Sequence, residues 1–318
     1  MTDSAALYRR WAEVEGAPSS NSYVRLALAV AEDRATVAFL DSVSQRERQP
    51  NLLFAVLRWY DVDVHDPAGC LRWLAANADL ARRELSARRT QTNEAARCAT
   101  LLPALALLPG PIALIEVGAS AGLCLLYDHW RYHYVGSDTD TWLGPADSPV
   151  TLRCETTGAV PIPEAVPTIA WRAGLDLNPL DPGDPETRRW LQCLVWPEHT
   201  ERAGRLAAAL SVAAAAAPAV STGDAVDDLA ALITQAPAEC TVVVQHSATL
   251  AYVDPARREQ FRQLVADHGA HSLGAEGGRF LPHLRYPDGV RGDRHFVVSL
   301  DDQGLGLADP HGRSLAWL

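Results

Sequence analysis

The segment that most restricts the fold is the short apolar run at 112–117, Ile-Ala-Leu-Ile-Glu-Val, followed by Gly118-Ala119-Ser120-Ala121-Gly122. It is preceded by Pro109-Gly110-Pro111, so turn residues bound it on both sides. A run of this length, rich in Ile and Val, has the pattern of a strand buried on both faces, as in a parallel sheet. Residues 123–130 read as a helix. Gly118 then lets the chain turn tightly, and Gly122 lets a ligand or a neighbouring strand approach the helix start. A helix N-terminus offers unpaired N–H groups, and open α/β sheets bind ligands at the carboxyl ends of their strands. The same turn also serves as a plain strand-to-helix connection.

The chain changes character at this point. Residues 1–108 carry apolar positions at helical spacing, such as Tyr8, Trp11 and Val14, or Leu52, Leu53, Val56, Leu57 and Tyr60 after Pro50. The last of these helices is expected over 92–108. Beyond 109, strands are expected at 150–154, 168–174, 219–222, 241–246, 271–275, 295–300 and 304–309, with helices at 185–195, 199–217, 225–234 and 255–268. Alternation of this kind implies a mostly parallel α/β sheet with helices on both faces. The last two strands are separated only by Asp301-Asp302-Gln303-Gly304, which reads as a terminal antiparallel hairpin. The division is therefore an all-helical cap at 1–108 and an α/β domain at 109–318, with a Gly-, Pro- and Thr-rich hairpin inserted at about 132–167.

Composition narrows the function classes. With 318 residues and 48% apolar residues the chain can bury a sizeable core. A net charge of −11 repels phosphate backbones and anionic lipid, so neither nucleic acid nor a membrane surface is the expected partner. The six cysteines show no metal-type or redox-type spacing, which reads as reduced thiols and no metal site. No basic-then-apolar leader opens the chain, and prolines interrupt its most apolar stretch. A cytoplasmic protein acting on a small molecule is expected.

Two further strand ends carry acids. Gly174-Leu175-Asp176 closes one strand, and a carboxylate there accepts hydrogen bonds from a ribose diol or turns the chain into the next helix. Gly223-Asp224-Ala225 closes another, where Asp224 reads an adenine amino group or caps the helix that begins at Ala225. The ordered set Glu116, Gly118–Gly122, Asp176 and Asp224-Ala225, then the strand at 241–246, resembles the motifs of class I S-adenosylmethionine-dependent methyltransferases. The resemblance covers 109–318 and implies a Rossmann-like fold with S-adenosylmethionine as cofactor. Gly118, Ala119, Ser120 and Gly122 would hold its methionine end, Asp176 its ribose and Asp224 with Ala225 its adenine. The middle turn residue is Ser120 rather than glycine. The gap from Gly122 to Asp176 also exceeds the ~20 residues usual between a dinucleotide turn and its acid. The inserted hairpin accounts for that gap; otherwise Asp138 or Asp140 is the ribose acid. Over its whole length the chain also resembles a bacterial family catalogued as domain of unknown function 2332. Segments 91–97, 115–123, 171–180, 194–198 and His246-Ser247 carry that likeness.

Candidate reacting groups follow the later strands. Gln245, on the cofactor side, and His246 end the strand at 241–246. His246 suits a general base, or a histidine hydrogen-bonded at a strand end. Glu276 ends the strand at 271–275 and either meets substrate or anchors the Gly-rich loop after it. Asn93 and Glu94 open the last N-terminal helix as caps or as a lid over the ligand, and Asp128 lies within the helix expected after Gly122. Methyl transfer from S-adenosylmethionine to a small molecule is the function this set implies. One alternative is a protein of the same fold that binds a nucleotide-type ligand without catalysis. Another is a serine hydrolase, because Gly118-Ala119-Ser120-Ala121-Gly122 also fits a nucleophile elbow, with Ser120 as nucleophile and His246 or His311 as partner.

Overall fold

The structure, a computed structural model, describes residues 3–286 and 295–318. Along the chain, helices α1 (Ser4–Trp11), α2 (Asn21–Glu32), α3 (Arg34–Asp41), α4 (Pro50–Trp59), α5 (Pro67–Ala76), α6 (Ala78–Ala87) and α7 (Arg97–Leu105) come first. Strands β1 (Ile112–Val117), β2 (Arg131–Val135), β3 (Asp140–Leu143), β4 (Thr151–Thr157) and β5 (Ile169–Asp176) follow, then α8 (Pro185–Leu194) and α9 (Thr200–Ala216). The remainder runs β6 (Val220–Thr222), α10 (Leu229–Ile233), β7 (Thr241–Ser247), α11 (Pro255–Asp267), β8 (His271–Gly277), β9 (Phe296–Leu300), β10 (Gln303–Ala308) and β11 (Ser314–Trp317).

Contacts divide the chain into two compact units, Met1–Thr92 with Asp184–Ala207, and Asn93–Gly183 with Ala208–Leu318. The first is helical. Asp3, Ser20 and Asp33 cap α1, α2 and α3 through their side chains, satisfying N–H groups that a helix start leaves open. Pro50 and Pro67 occupy first-turn positions of α4 and α5, where a missing N–H costs nothing. The core of this unit is aromatic: Tyr8, Trp11, Tyr23, Phe54 and Trp196 stack edge-on or tilted at centroid distances of 4.7–6.4 Å.

The second unit is built on a sheet whose eleven described strands run β3-β2-β4-β11-β10-β9-β8-β7-β1-β5-β6. Pairings from β8 through β7, β1 and β5 to β6 are parallel, while β8-β9, β9-β10 and β10-β11 are antiparallel. The fold is thus mixed α/β, mostly parallel, with antiparallel C-terminal strands and helices at the N-terminus. β2 and β3 form an antiparallel hairpin, and β4 attaches it to β11. All six residues of β1 are buried, as expected of a strand with a neighbour on each side. α7 is buried along its whole length and packs on β4, β8 and β9. On the other face α10, through Leu229 and Leu232, and α11, through Phe261 and Val265, pack against Ile115, Val117 and Val244. The six cysteines are free thiols, five of them buried. No helix of the described residues is long and apolar enough to cross a membrane.

Four local expectations are corrected. After Gly122 the chain forms two 3-10 turns, Leu123–Leu125 and Tyr127–His129, rather than one helix. Here side chains of Trp130, Gln245, Arg172 and Tyr132 take the carbonyls of Leu123, Cys124, Leu125 and Tyr127, in place of an α-helical ladder. The last N-terminal helix begins at Arg97, so Asn93 and Glu94 precede it, outside any helix. α10 starts only at Leu229, because Asp228 Oδ2 accepts the Asp224 N–H while Asp224 Oδ1 accepts the Val226 and Asp227 N–H groups, which holds the preceding residues as turns. β10 is followed by one more strand, β11, reached through the turn at Asp309–Gly312.

Candidate functional site

The turn after β1 is an unusual piece of backbone. Gly118, Ser120 and Gly122 all have positive φ, at +76°, +51° and +71°. Gly118 is obligatory twice over, since a Cβ there would lie 2.2 Å from Thr249 Oγ1. Ser120 has no such excuse, and a non-glycine residue in the left-handed region costs about 1–2 kcal/mol. Neighbours hold it there. Its N–H donates to Asp176 Oδ2 at 2.8 Å, and its hydroxyl accepts from Asn93 Nδ2 at 2.9 Å. Asn93 Oδ1 in turn accepts the Ala121 N–H at 3.0 Å, so one side chain spans the turn. Gly174 lets the turn sit against β5, where a Cβ would come 2.8 Å from Ala119 Cβ.

A second strained residue lies one strand away. Ala248, just past β7, has φ +55° and donates its N–H to Ala275 O. The following N–H groups of Thr249 and Leu250 both donate to Glu276 Oε1, at 2.8 and 3.0 Å. Thr249 Oγ1 donates to Val117 O at 3.2 Å, which ties this bend to the first turn.

Strand alternation sorts the other residues onto two faces. Glu116 and Gln245 are register partners, and Ser247 follows two positions on, so these three share one face. Val117, His246 and Gly274 are register partners on the opposite face, with Glu276 two positions beyond Gly274. On the first face Gln245 is fully buried. It accepts from Tyr127 OH at 2.5 Å and donates to Cys124 O at 3.3 Å and Glu116 Oε1 at 3.5 Å. Burial, with the Cys124 thiol beside it, pushes the Glu116 carboxyl well above the usual range. Its Oε2 has no hydrogen-bond partner among the described residues, nor does Ser247 Oγ. Arg97, buried at the start of α7, donates to Ser247 O and Pro310 O and lies over the Phe296 ring.

On the second face His246 is 2% exposed and Glu276 0%. His246 Nδ1 meets Glu276 Oε1 at 3.1 Å, its Nε2 lies 3.4 Å from Ser272 Oγ, and Phe261 packs edge-on against the ring. Gly274 makes room for that ring, since a Cβ there would lie 2.7 Å from His246 Cε1.

The two strand-end acids reach the edge of the sheet, both half-buried. Asp176 accepts the Ser120 and Asn178 N–H groups, one on each oxygen, which fixes its carboxylate and leaves lone pairs for further donors. Asp224 Oδ1 takes the Val226 N–H and the Arg257 guanidinium. Desolvation works against ionisation there, but these donors win and hold the Asp224 carboxyl below the usual range. Its Oδ2 has no protein hydrogen bond among the described residues. Asp128 is bound through both oxygens by Arg172, at 2.8 and 2.6 Å, as a surface ion pair. Glu94 is buried and accepts the Ala96 N–H. Asp138 and Asp140 lie on the β2–β3 hairpin, where Asp140 meets His133 at 2.8 Å. No group of three or more His, Cys, Asp or Glu among the described residues is placed to hold a metal ion.

Asn93, the 118–122 turn and Asp176 thus form one hydrogen-bonded group, and Glu116 with Gln245 another. His246 and Glu276 form a third, on the opposite face from Gln245. Sequence reasoning missed Tyr127, Arg97, Ala248, Thr249 and Arg257. For the separation of Gln245 from His246 a signal did exist, because consecutive residues on a strand point to opposite faces.

No curated protein and no solved structure matches this chain. A family model matches residues 5–317, nearly the full length, in agreement with the segments singled out in the sequence. The chain therefore belongs to the bacterial family described as uncharacterized protein conserved in bacteria (DUF2332).

Proposed function

We propose that the second unit is a Rossmann-like domain of the class I methyltransferase type. In this reading it binds S-adenosylmethionine at the carboxyl ends of β1, β5 and β6 and transfers the methyl group to a small molecule. One observation carries the reading. Two left-handed non-glycine residues, Ser120 and Ala248, sit at the carboxyl ends of adjacent strands β1 and β7; Asn93 holds Ser120, and Glu276 holds the two N–H groups that follow Ala248. Strain kept in place this way gathers at ligand sites. The parallel order β6-β5-β1-β7-β8 adds support, because the chain leaves β1 first to one side and later to the other. Open α/β sheets bind ligands at that reversal point.

The donor and acceptor set fits the cofactor. Asp176, oriented by two N–H groups, accepts from a ribose diol, and Asp224 Oδ2 accepts from an adenine amino group. The 118–122 turn borders the methionine end. When bound, the cofactor supplies a methyl group on a positively charged sulfur. The protein's part is to position donor and acceptor, which by itself is worth several powers of ten in rate.

A second reading, ligand binding without turnover, is favoured by one observation: His246 and Glu276 are sealed from solvent and bonded to each other. The hydrolase reading has less support, since both His246 ring nitrogens have partners on the other face. The test is formation of S-adenosylhomocysteine from S-adenosylmethionine with the small-molecule fraction of a bacterial extract, run beside a direct binding measurement. Turnover supports transfer, binding alone supports the second reading, and neither result leaves either standing.

A further inference from the structure

Two arginines of the second unit near the carboxyl ends of β7 and β8 have carboxylates. On α11, Arg257 meets Asp224 and Asp227 at 2.5 and 2.9 Å, and Arg262 meets Glu259 at 2.6 Å. Arg258, next to Arg257, does not. Its Nε donates to Leu250 O at 2.8 Å, and its guanidinium lies over the Phe280 ring, 4.8 Å from the centroid. Arg279 covers the same ring at 4.6 Å. Neither Arg258 nor Arg279 makes an ion pair with a described residue, and Asp254, four residues before Arg258, stays beyond ion-pair distance of both.

Two guanidinium groups sharing one ring are a concentrated positive patch on a chain of net charge −11. The ring attracts both cations from its face and leaves their N–H edges for another acceptor. Arg258 keeps both terminal nitrogens, and Arg279, which is exposed, keeps its whole fork. The patch also lies beside the candidate crevice. Leu250, which Arg258 grips, follows Thr249, and Thr249 braces Gly118. The same 3-10 turn, Leu250–Tyr252, presents Tyr252 at 79% exposure.

We propose that Arg258 and Arg279 form the subsite for an anionic group, a carboxylate or a phosphate, on the small molecule that this edge of the sheet takes. The proposal rests on the reading that the carboxyl ends of these strands are the ligand-binding edge. It narrows the acceptor to acidic small molecules and makes Arg258 and Arg279 specificity residues.

Calorimetric titration of the full chain with phenyl phosphate, benzoate and uncharged benzyl alcohol tests it, with S-adenosylhomocysteine titrated in parallel. Either or both anions should bind, and their ranking tells phosphate from carboxylate. Benzyl alcohol should not bind. R279Q and R258Q should each weaken the anion about tenfold or more, the effect of losing a charge-assisted hydrogen bond, while R258K retains part of the affinity. S-adenosylhomocysteine should bind R279Q and R258Q as it binds the unaltered protein, which also shows that they fold. The proposal is overturned if neither anion binds, or if both variants bind it as tightly as the unaltered protein. Arginine-dependent anion binding without S-adenosylhomocysteine binding would keep this subsite and remove the cofactor assignment. The converse pattern would keep the cofactor and remove the subsite.

Discussion

Glu276 is the residue whose replacement should reveal most about how the carboxyl edge is held. Its Oε1 accepts from the N–H groups of Thr249 and Leu250 and faces His246 Nδ1. Alanine removes the acceptor and leaves two backbone donors and one imidazole without a partner in a site closed to water. Each orphaned buried donor costs about 1–3 kcal/mol, so with three groups E276A should lose about 3–9 kcal/mol. E276Q keeps an oxygen for the two N–H groups and gives up only the charge, for a loss of about 1–2 kcal/mol. Two compact units make a single unfolding midpoint a poor isolating measure, so the local readout is hydrogen exchange at the Thr249 and Leu250 amides. Protection there should fall sharply in E276A and mildly in E276Q. Unchanged protection in E276A, together with a global loss below about 1 kcal/mol, would refute the claim that this carboxylate holds the bend after β7.

Two further expectations concern the first turn and its floor. G118A should lose about 2–4 kcal/mol, part from the left-handed backbone and part from the clash with Thr249 Oγ1. In a double-mutant cycle T249A should recover the clash portion, and strict additivity in urea titrations would show that the two side chains do not meet. E116Q should gain on the unaltered protein as pH rises. The folded carboxyl titrates well above its ordinary 4.5, so above that pH the unfolded chain binds fewer protons than the folded one. Stability of the unaltered protein is therefore eroded by up to about 1.4 kcal/mol per pH unit until the folded group ionises, whereas E116Q has no such slope. A stability gap between the two proteins that is the same at pH 5 and pH 7 (both approximate settings) would show that Glu116 titrates as an exposed acid does.

Strands flanked by helices were legible because their burial leaves a plain trace: β1, β5, β7 and β8 each begin within a residue of the expected start. The inserted hairpin was expected but β2 and β3 were not placed within it, since Arg131-Tyr132-His133-Tyr134-Val135 alternates tyrosines, not aliphatics, into its covered face. β11 has four residues and too little pattern to read. The segment after Gly122 misled for a physical reason, because its leucines fit helical spacing, whereas the side chains of Arg172 and Gln245 that take its carbonyls come from far along the chain. At the site, the acids at the strand ends were legible from turn chemistry. Their engagement was not: that Asp176 reaches back to the Ser120 N–H, or Arg257 to Asp224, depends on contacts 56 and 33 residues apart. The Asn93 bridge is of the same kind, set by where the segment before α7 passes.

The central claim is that Asp176 and Asp224 flank a place for an adenosine. Calorimetric titration of the full chain with S-adenosylhomocysteine tests it most directly. Micromolar affinity that drops about tenfold or more in both D176A and D224A is the predicted result. No heat of binding at millimolar ligand, or affinity indifferent to both replacements, would contradict it.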